Sequence, residues 1–442
     1  MRILSHQKRR EDAVALPKLP RNQIDASGDF ARSAFGVRCV FASLSLLFVS
    51  AILCHAADTP YSSSTISGLG ARNIGSATMS GRISAVAGTR ESSGKITLFV
   101  GAASGGVWKS DDSGTRYRPV FDEQHAQSIG AIALDPKNSK NVWVGTGESW
   151  TRNSVSIGDG IYKSTDAGET WTGVGLEKSE RIAKIAVSPK SSDTVFAAVP
   201  GALWSDSPDR GLYKTTDGGK TWQQVLKGPN LSTGCTDIAI DPNNPDIMFA
   251  AMWDFRRKGW EYRSGGESPT VPSASGLFRS TDGGNTWTEI TTEANKGFPK
   301  KPYGRIAVAI APSNAQRVYT FVESPDSALF VSDDGGMTWE KRDKSQWMVW
   351  RPFYFANLIV DPKNPNRVFK TDGSLIVSED GGKSFAVVGG FGGMHGDVHD
   401  VWIDPTNTQV VFSGDDGGMW YSYNGGAKCG KLKTCRCHSS IT

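Results

Sequence analysis

Cysteine is nearly absent from the body of this chain. Of the six cysteines in 442 residues, Cys39 and Cys54 lie in an apolar N-terminal stretch, and Cys429, Cys435 and Cys437 crowd near the C-terminus. Only Cys235 remains between them, so an internal disulfide framework is excluded there. Histidine is scarce too: the same body holds only His125, His395 and His399. No segment sustains a helical period, which argues against a helical layer. The formal net charge of +4 belongs to the ends. The first 56 residues carry eight Lys/Arg against four Asp/Glu, and the stretch from Ala427 carries four against none. The intervening segment keeps 37 basic and 41 acidic residues and is therefore slightly acidic, which removes the electrostatic footprint of a nucleic-acid binder.

What is present is a repeat. Ser164-Thr165-Asp166-Ala167-Gly168-Glu169-Thr170-Trp171 reads Ser-x-Asp-x-Gly-x-Thr-Trp, and the pattern returns at Thr215–Trp222, Ser280–Trp287 and Ser332–Trp339. Softer copies run from Ser378 to Phe385 and from Ser110 to Tyr117, with Arg116 in place of Thr. A last copy starts at Ser422, keeps Asn424 and Gly426, and fails at Cys429. The third positions are 54, 51, 65, 52, 46 and 44 residues apart, close to the roughly 40–50 residues of a four-stranded propeller blade. The motif has the chemistry of a hairpin turn: Asp and Ser oxygens accept turn N–H bonds, Gly supplies a positive φ, and Trp buries a large apolar face. It requires no ligand; a calcium loop at Ser332–Gly336 lacks the further oxygen ligands.

A second repeat sits half a blade away, at Asp135-Pro136, Ser188-Pro189, Asp241-Pro242, Ala311-Pro312, Asp361-Pro362 and Asp404-Pro405. Each follows one apolar run and precedes another. Short strands between regular turn signals make the chain all-β. The expected fold is a β-propeller of four-stranded Asp-box blades, six complete and a truncated seventh, with Leu69–Ile74 as a possible outer strand of a further blade.

These motifs resemble the BNR or Asp-box repeat family, which includes bacterial sialidases, xyloglucanase-type glycoside hydrolases and sortilin-type sorting receptors. Gly147-Glu148 followed by Gly158-Asp159-Gly160-Ile161-Tyr162-Lys163-Ser164 is similar to secreted bacterial proteins of the sortilin-like and xyloglucanase-like group. The resemblance spans about Ile66 to Gly426. It implies the propeller fold firmly and an activity only weakly. Sialidases of this fold use an Arg triad and a Phe/Tyr-Arg-Ile-Pro signature, which Tyr303-Gly304-Arg305-Ile306 and Ser80-Gly81-Arg82-Ile83 do not match. No sialidase residue is carried over, and no motif places xyloglucanase carboxylates. Gly219-Lys220-Thr221 and Gly382-Lys383-Ser384 lack the upstream glycine of a phosphate loop.

Four segments follow. Residues 1–36 read as a gene-model extension or disordered leader, and 37–57 as a signal peptide, with a single N-terminal anchor as the alternative. The propeller occupies 58–426. Residues 427–442 fit no blade; a metal knuckle around Cys435, Cys437 and His438 is one reading. A frameshift is the other, since the next frame can read WKAKNLPLSQFYH and restores the missing Trp. The expected location is secreted or periplasmic in a bacterium, with no stable membrane insertion after cleavage. Oligomeric state is not legible.

In a propeller the B–C and D–A loops open on the face opposite the Asp boxes, so sites are sought there. Gly147–Asp159, Pro200–Arg210, Met252–Gly276 and Lys341–Asn357 interleave aromatics with arginine, which suits sugar faces, peptide side chains or carboxylates. The ligand-binding candidates are Trp150, Arg152, Trp253, Arg256, Arg257, Trp350, Arg351, His395 and His399; the alternative is that several of the tryptophans only pack loops together. His395, Asp397 and His399 would share one face at a period of two if they lead into an inner strand. They then form a polar plug, a catalytic or substrate contact, or a metal site; nothing requires a metal or cofactor. Asp397 with Asp415 or Asp416 is the candidate catalytic pair. A glycosidase needs such carboxyls about 5–5.5 Å apart for retention or about 6.5–9.5 Å for inversion. The leading functional reading is a non-catalytic propeller that binds a polysaccharide or peptide; the alternative is a glycoside hydrolase acting on β-linked polysaccharide. Mass spectrometry of exported protein is expected to find a mature N-terminus between Ala56 and Asp58, and full-length protein retained in the cytosol overturns the signal-peptide reading.

Overall fold

Seven antiparallel sheets account for the regular structure. The computed structural model describes residues 81–432, except 153, 266–271, 350, 352–353, 355 and 390–393. Leu69–Ile74, the proposed signal and most of the C-terminal stretch lie outside the described residues. The sheets span residues 83–119, 129–173, 184–226, 233–290, 306–343, 358–387 and 398–431 and are blades one to seven. In each, strands A to D follow one another in space as in sequence, as hairpin connections dictate. The seventh, expected to be cut short, has four strands. Its outer strand is the two-residue Gly430–Lys431, taken from the stretch that fits no blade.

The A strands face a central channel. Val86, Ile132, Lys184, Ile238, Val308, Leu358 and Asp400, one from each blade, line a cavity of about 350 Å³. The Pro turns connect A to B. Their Asp side chains accept the N–H two residues on, as in Lys137 to Asp135 (2.9 Å), Asn243 to Asp241 (2.8 Å) and Lys363 to Asp361 (2.8 Å).

The Asp box is a turn held by its own side chains. In blade two, Asp166 Oδ1 accepts the N–H groups of Glu169 (3.0 Å) and Thr170 (2.9 Å), and Oδ2 accepts the Thr170 hydroxyl (2.6 Å). The Ser164 hydroxyl donates to Asp166 (2.7 Å) and accepts from Gly168 N (2.7 Å). The Thr170 hydroxyl bond and the other donors hold the Asp166 carboxyl down at about 2. Blade one shows why Arg116 is tolerated: its Nε reaches Asp112 Oδ2 (3.0 Å), where the Thr hydroxyl would be.

The box also joins blades. The glycine two residues after its Asp, at positive φ, lies under a large side chain of the preceding blade. A Cβ on Gly168 would meet Phe99 at 2.8 Å, one on Gly284 would meet Phe196 at 2.6 Å, and one on Gly336 would meet Phe249 at 2.8 Å. Gly219 faces Trp143, Gly382 faces Leu329 and Tyr319, and Gly426 faces Val388 and Phe369. Gly114 of blade one faces Phe412 of blade seven, which closes the ring. The Trp ending the motif reaches back as well: Trp171 Nε1 donates to Val120 O and Trp222 Nε1 to Val174 O, both at 2.7 Å. Seven apolar cores result, each between two adjacent blades.

Blade four departs from expectation. Strand B runs on through Met248–Lys258 and pairs with an additional strand, Glu261–Ser264, where one long loop was expected. Alternation explains it: Trp253 and Phe255 point to one side and pack with Leu203 and Tyr262.

Gly336→Ala is expected to destabilise the protein by about 1–3 kcal/mol from the left-handed backbone alone, with the Phe249 clash added. Urea denaturation measures it, and an unchanged midpoint contradicts the seam described here.

Candidate functional site

The channel mouth on the face away from the Asp boxes gathers most of the predicted side chains. Arg82 comes from the start of blade one, and Glu148, Trp150 and Arg152 from the B–C loop of blade two. Arg351 and Tyr354 come from the connection into blade six, which carries the one-turn helix α1 (Gln346–Val349). Asp397 and His399 come from the start of blade seven, and Asp415 and Asp416 from its B–C turn.

At the base, Arg82 and Glu148 form a buried two-bond ion pair. Burial opposes the Arg82 charge, but the Glu148 hydrogen bonds and field outweigh it and raise the guanidinium pKa. Removing one partner of such a pair typically costs about 3–5 kcal/mol because the other is left buried and unpaired. The pair therefore anchors blade two's loop to blade one.

Above it lies His399, fully buried. Its Nδ1 is 2.5 Å from Ile83 O, its Nε2 3.4 Å from Asp416 Oδ1, and its ring 5.6 Å from that of Trp150. Burial pushes the imidazole down to about 3, so it is neutral at ordinary pH. The expected period-two face is corrected. Strand A begins at Val398, Asp397 sits in a turn at φ 58°, and the register shifts between Val398 and Asp400. A turn followed by a bulge breaks the alternation. His395 is exposed and His399 is buried, and Asp397 bonds instead to Arg351 (3.3 Å). Among the described residues no group of three His, Cys, Asp or Glu is placed to hold a metal ion.

The two adjacent aspartates differ. Asp415 is fully buried and accepts Gly417 N–H (2.7 Å), and burial pushes its carboxyl up to about 7. Asp416 is partly exposed, 3.8 Å from Arg152, with a carboxyl raised by burial against the pull of Arg152.

Aromatic and cationic groups stack around them. Arg152 stands 5.7 Å and Arg351 5.8 Å from the Tyr354 ring centre. Trp150 is 4% exposed and packs on Tyr354, while 25% of the Arg152 side chain and 47% of that of Arg351 are exposed. At the mouth the rings of Trp150 and Tyr354 thus pack inward while Arg152 and Arg351 keep part of their side chains exposed; Trp204 and Trp260, on the neighbouring loops, are exposed. Trp253 is 2% exposed, with its Nε1 donating to Ser264 (3.0 Å). Arg256 pairs with Asp206 and Arg257 stacks on Tyr262, both on the blade-four hairpin. Trp350 lies outside the described residues.

Arg305 was missed as a site residue. It is buried between Trp150 (5.5 Å) and Trp253 (5.7 Å) and donates to Tyr354 O (2.9 Å) and Asn357 Oδ1 (3.1 Å), so it joins the hairpin to the mouth. A signal existed. Arg-Ile opens blades one, three and five at Arg82-Ile83, Arg181-Ile182 and Arg305-Ile306, and all three arginines are buried.

A family model described as Sortilin, neurotensin receptor 3, matches residues 105–258, and the BNR/Asp-box repeat model matches residues 330–341. The xyloglucanase Xgh74A of Acetivibrio thermocellus is 24% identical over 327 residues, 66% of this chain and 36% of its own length. The chain thus spans about a third of the length of that curated relative. Among solved structures, YCF48 bound to D1 peptide aligns with a TM-score of 0.50 at 14% identity, covering 78% of this chain and 94% of that one. An ancestral GH74 enzyme aligns at 0.50 and 17% identity, covering 83% and 50%. These likenesses establish an Asp-box β-propeller.

Asp415→Asn tests the burial of that carboxyl. A folded-state pKa of about 7, raised from 3.8, makes a stabilising contribution that is full below about pH 4 and lost as pH rises through 7. The Asn variant escapes that loss, so its urea midpoint relative to wild type is expected to rise between pH 4 and pH 8 and then level off. A difference independent of pH refutes it.

Proposed function

We propose that this Asp-box β-propeller is an exported recognition protein that binds a carboxylate-bearing peptide at its channel mouth. One observation carries the reading: the part-exposed Arg152 and the exposed Arg351 flank Tyr354 with their guanidinium groups, while Trp150, Trp253 and Tyr354 are buried. A neutral glucan is held chiefly by exposed aromatic faces, and these residues offer none. Guanidinium groups on an aromatic support suit a carboxylate, which they bind in a two-bond fork. Their present partners, Asp397 at 3.3 Å and Asp416 at 3.8 Å, are part-exposed pairs. Such pairs contribute about 0–1 kcal/mol, so an incoming carboxylate can displace them. The match of residues 105–258 to a receptor family supports the same reading.

A glycoside hydrolase acting on β-linked polysaccharide is the second reading, supported by two part-exposed carboxylates, Asp397 and Asp416, beside a protonatable Asp415. Asp415 is fully buried, so the pair that could touch a sugar is Asp397 with Asp416. The similarity to a xyloglucanase supports this reading, but the fold serves both a peptide-bound protein and an enzyme and does not choose between them.

The Arg152→Gln/Arg351→Gln double variant is expected to lose retention of a peptide library with free C-termini by at least tenfold. A C-terminally amidated library should bind weakly to both proteins. Equal retention by wild type and variant overturns the proposal, as does preference for an acidic polysaccharide. Reducing-sugar release from a polysaccharide panel, abolished in Asp416→Asn, would establish the hydrolase instead. Trp253 is unsuitable as a probe, because its removal empties a core.

A further inference from the structure

A second cavity, of about 730 Å³, opens on the same face between blades four and five, lined by residues 264–265, 272–273, 301–304 and 323–325. Its chemistry is one-sided. Pro272, Pro302 and Pro325 are exposed around it and bring carbonyls but no N–H. Most side-chain donors in the wall are already engaged: the Ser264 hydroxyl donates to Glu323 Oε2 (2.6 Å), the Ser273 hydroxyl to Tyr303 O (2.5 Å) and the Tyr303 hydroxyl to Pro299 O (2.6 Å), while the Ser324 hydroxyl accepts Asp326 N–H (3.1 Å). Lys301, at the rim, pairs with Glu289 at 2.5 Å. Glu323 Oε2 also accepts Arg305 N–H (2.7 Å). No hydrogen bond from the described residues reaches Glu323 Oε1. The wall therefore offers acceptors, one carboxylate and apolar proline rings, but few free donors.

We propose that this cavity binds a cationic side chain, arginine or lysine, of an extended peptide. Such a group is all donor at its tip, with three N–H in lysine and five in arginine, and apolar along its stem. The tip complements Glu323 and the carbonyls, and the stem packs on the proline rings. An anion meets the Glu323 carboxylate and only a Lys301 ammonium already paired with Glu289, and a neutral apolar side chain leaves the carboxylate desolvated without a partner. The volume exceeds that of one side chain and leaves room for a flanking residue. The site stands apart from the carboxylate reading of the channel mouth and does not depend on it.

The probe is an Ala-Arg-Ala-Ala peptide, N-acetylated and C-amidated so that it carries no carboxylate for the mouth, with lysine and citrulline versions alongside. Titration calorimetry is expected to show binding of the arginine and lysine peptides, and at least tenfold weaker binding of the citrulline peptide. Glu323→Gln keeps an oxygen for Ser264 and Arg305 N–H and should weaken the cationic peptides at least tenfold. Pro325→Arg, on the exposed rim, supplies a competing guanidinium and should abolish binding with Glu323 in place. Arg152→Gln/Arg351→Gln should leave this binding unchanged while losing the mouth ligand, which separates the two proposals. No binding of the arginine and lysine peptides, equal binding of the citrulline peptide, or cationic-peptide binding untouched by both cavity variants, overturns the assignment.

Discussion

The contact on which the molecule depends is a large side chain of one blade seated on an Asp-box glycine of the next. Two requirements meet at that glycine. The turn needs a positive φ, and the neighbouring side chain needs the space a Cβ would fill. The Asp carboxylate, which ties the turn together with four bonds in blade two, holds the glycine in place. Each seam buries an apolar core between two sheets, so no blade has a complete core of its own. Loop length is then free to vary, as the unequal repeat intervals show.

The mouth follows a different rule. Its charges are held by burial and pairing: Arg82 with Glu148 at the base, a neutral His399 above, and Asp416 between His399 and Arg152. Ion pairs and inward-facing rings fix the frame, and Arg152, Arg351, Asp397 and Asp416 keep part of their side chains exposed at the rim. This divides support from contact within a few residues of sequence, since Trp150 packs while Arg152, two positions on, faces out.

Much of the fold was legible because the Asp box and the Pro turn are local: their hydrogen bonds close within four residues, so their spelling survives in the sequence. The face carrying the site followed from connectivity. What escaped was non-local. The side chain on each glycine, at Phe99, Trp143, Phe196, Phe249, Tyr319, Phe369 and Phe412, belongs to another blade and lies far from its glycine in the chain. Arg305 was passed over because its Arg-Ile was read against a family signature and not as a repeat. Trp150 and Trp253 looked exposed because loops usually are. Trp150 is covered by Tyr354 and Arg305, and Arg305 also packs on Trp253 beside its own hairpin; each of these partners is more than fifty residues away in the chain.

Among the described residues every sheet is built from strands consecutive in sequence. Blade seven therefore meets blade one without a shared strand ladder: Phe412 and Met419 pack against Ile83, Leu98 and Trp108, and His399 and Asp400 bond to the backbone of Ile83 and Val86. Among the described residues, six of the seven seams have a chain connection running beside them and this one does not. Mechanically it is the latch of the ring. A pull on the chain, or a transient loosening, would part the circle there first, and Arg90 with Asp404, bridging the same join, acts as its bolt.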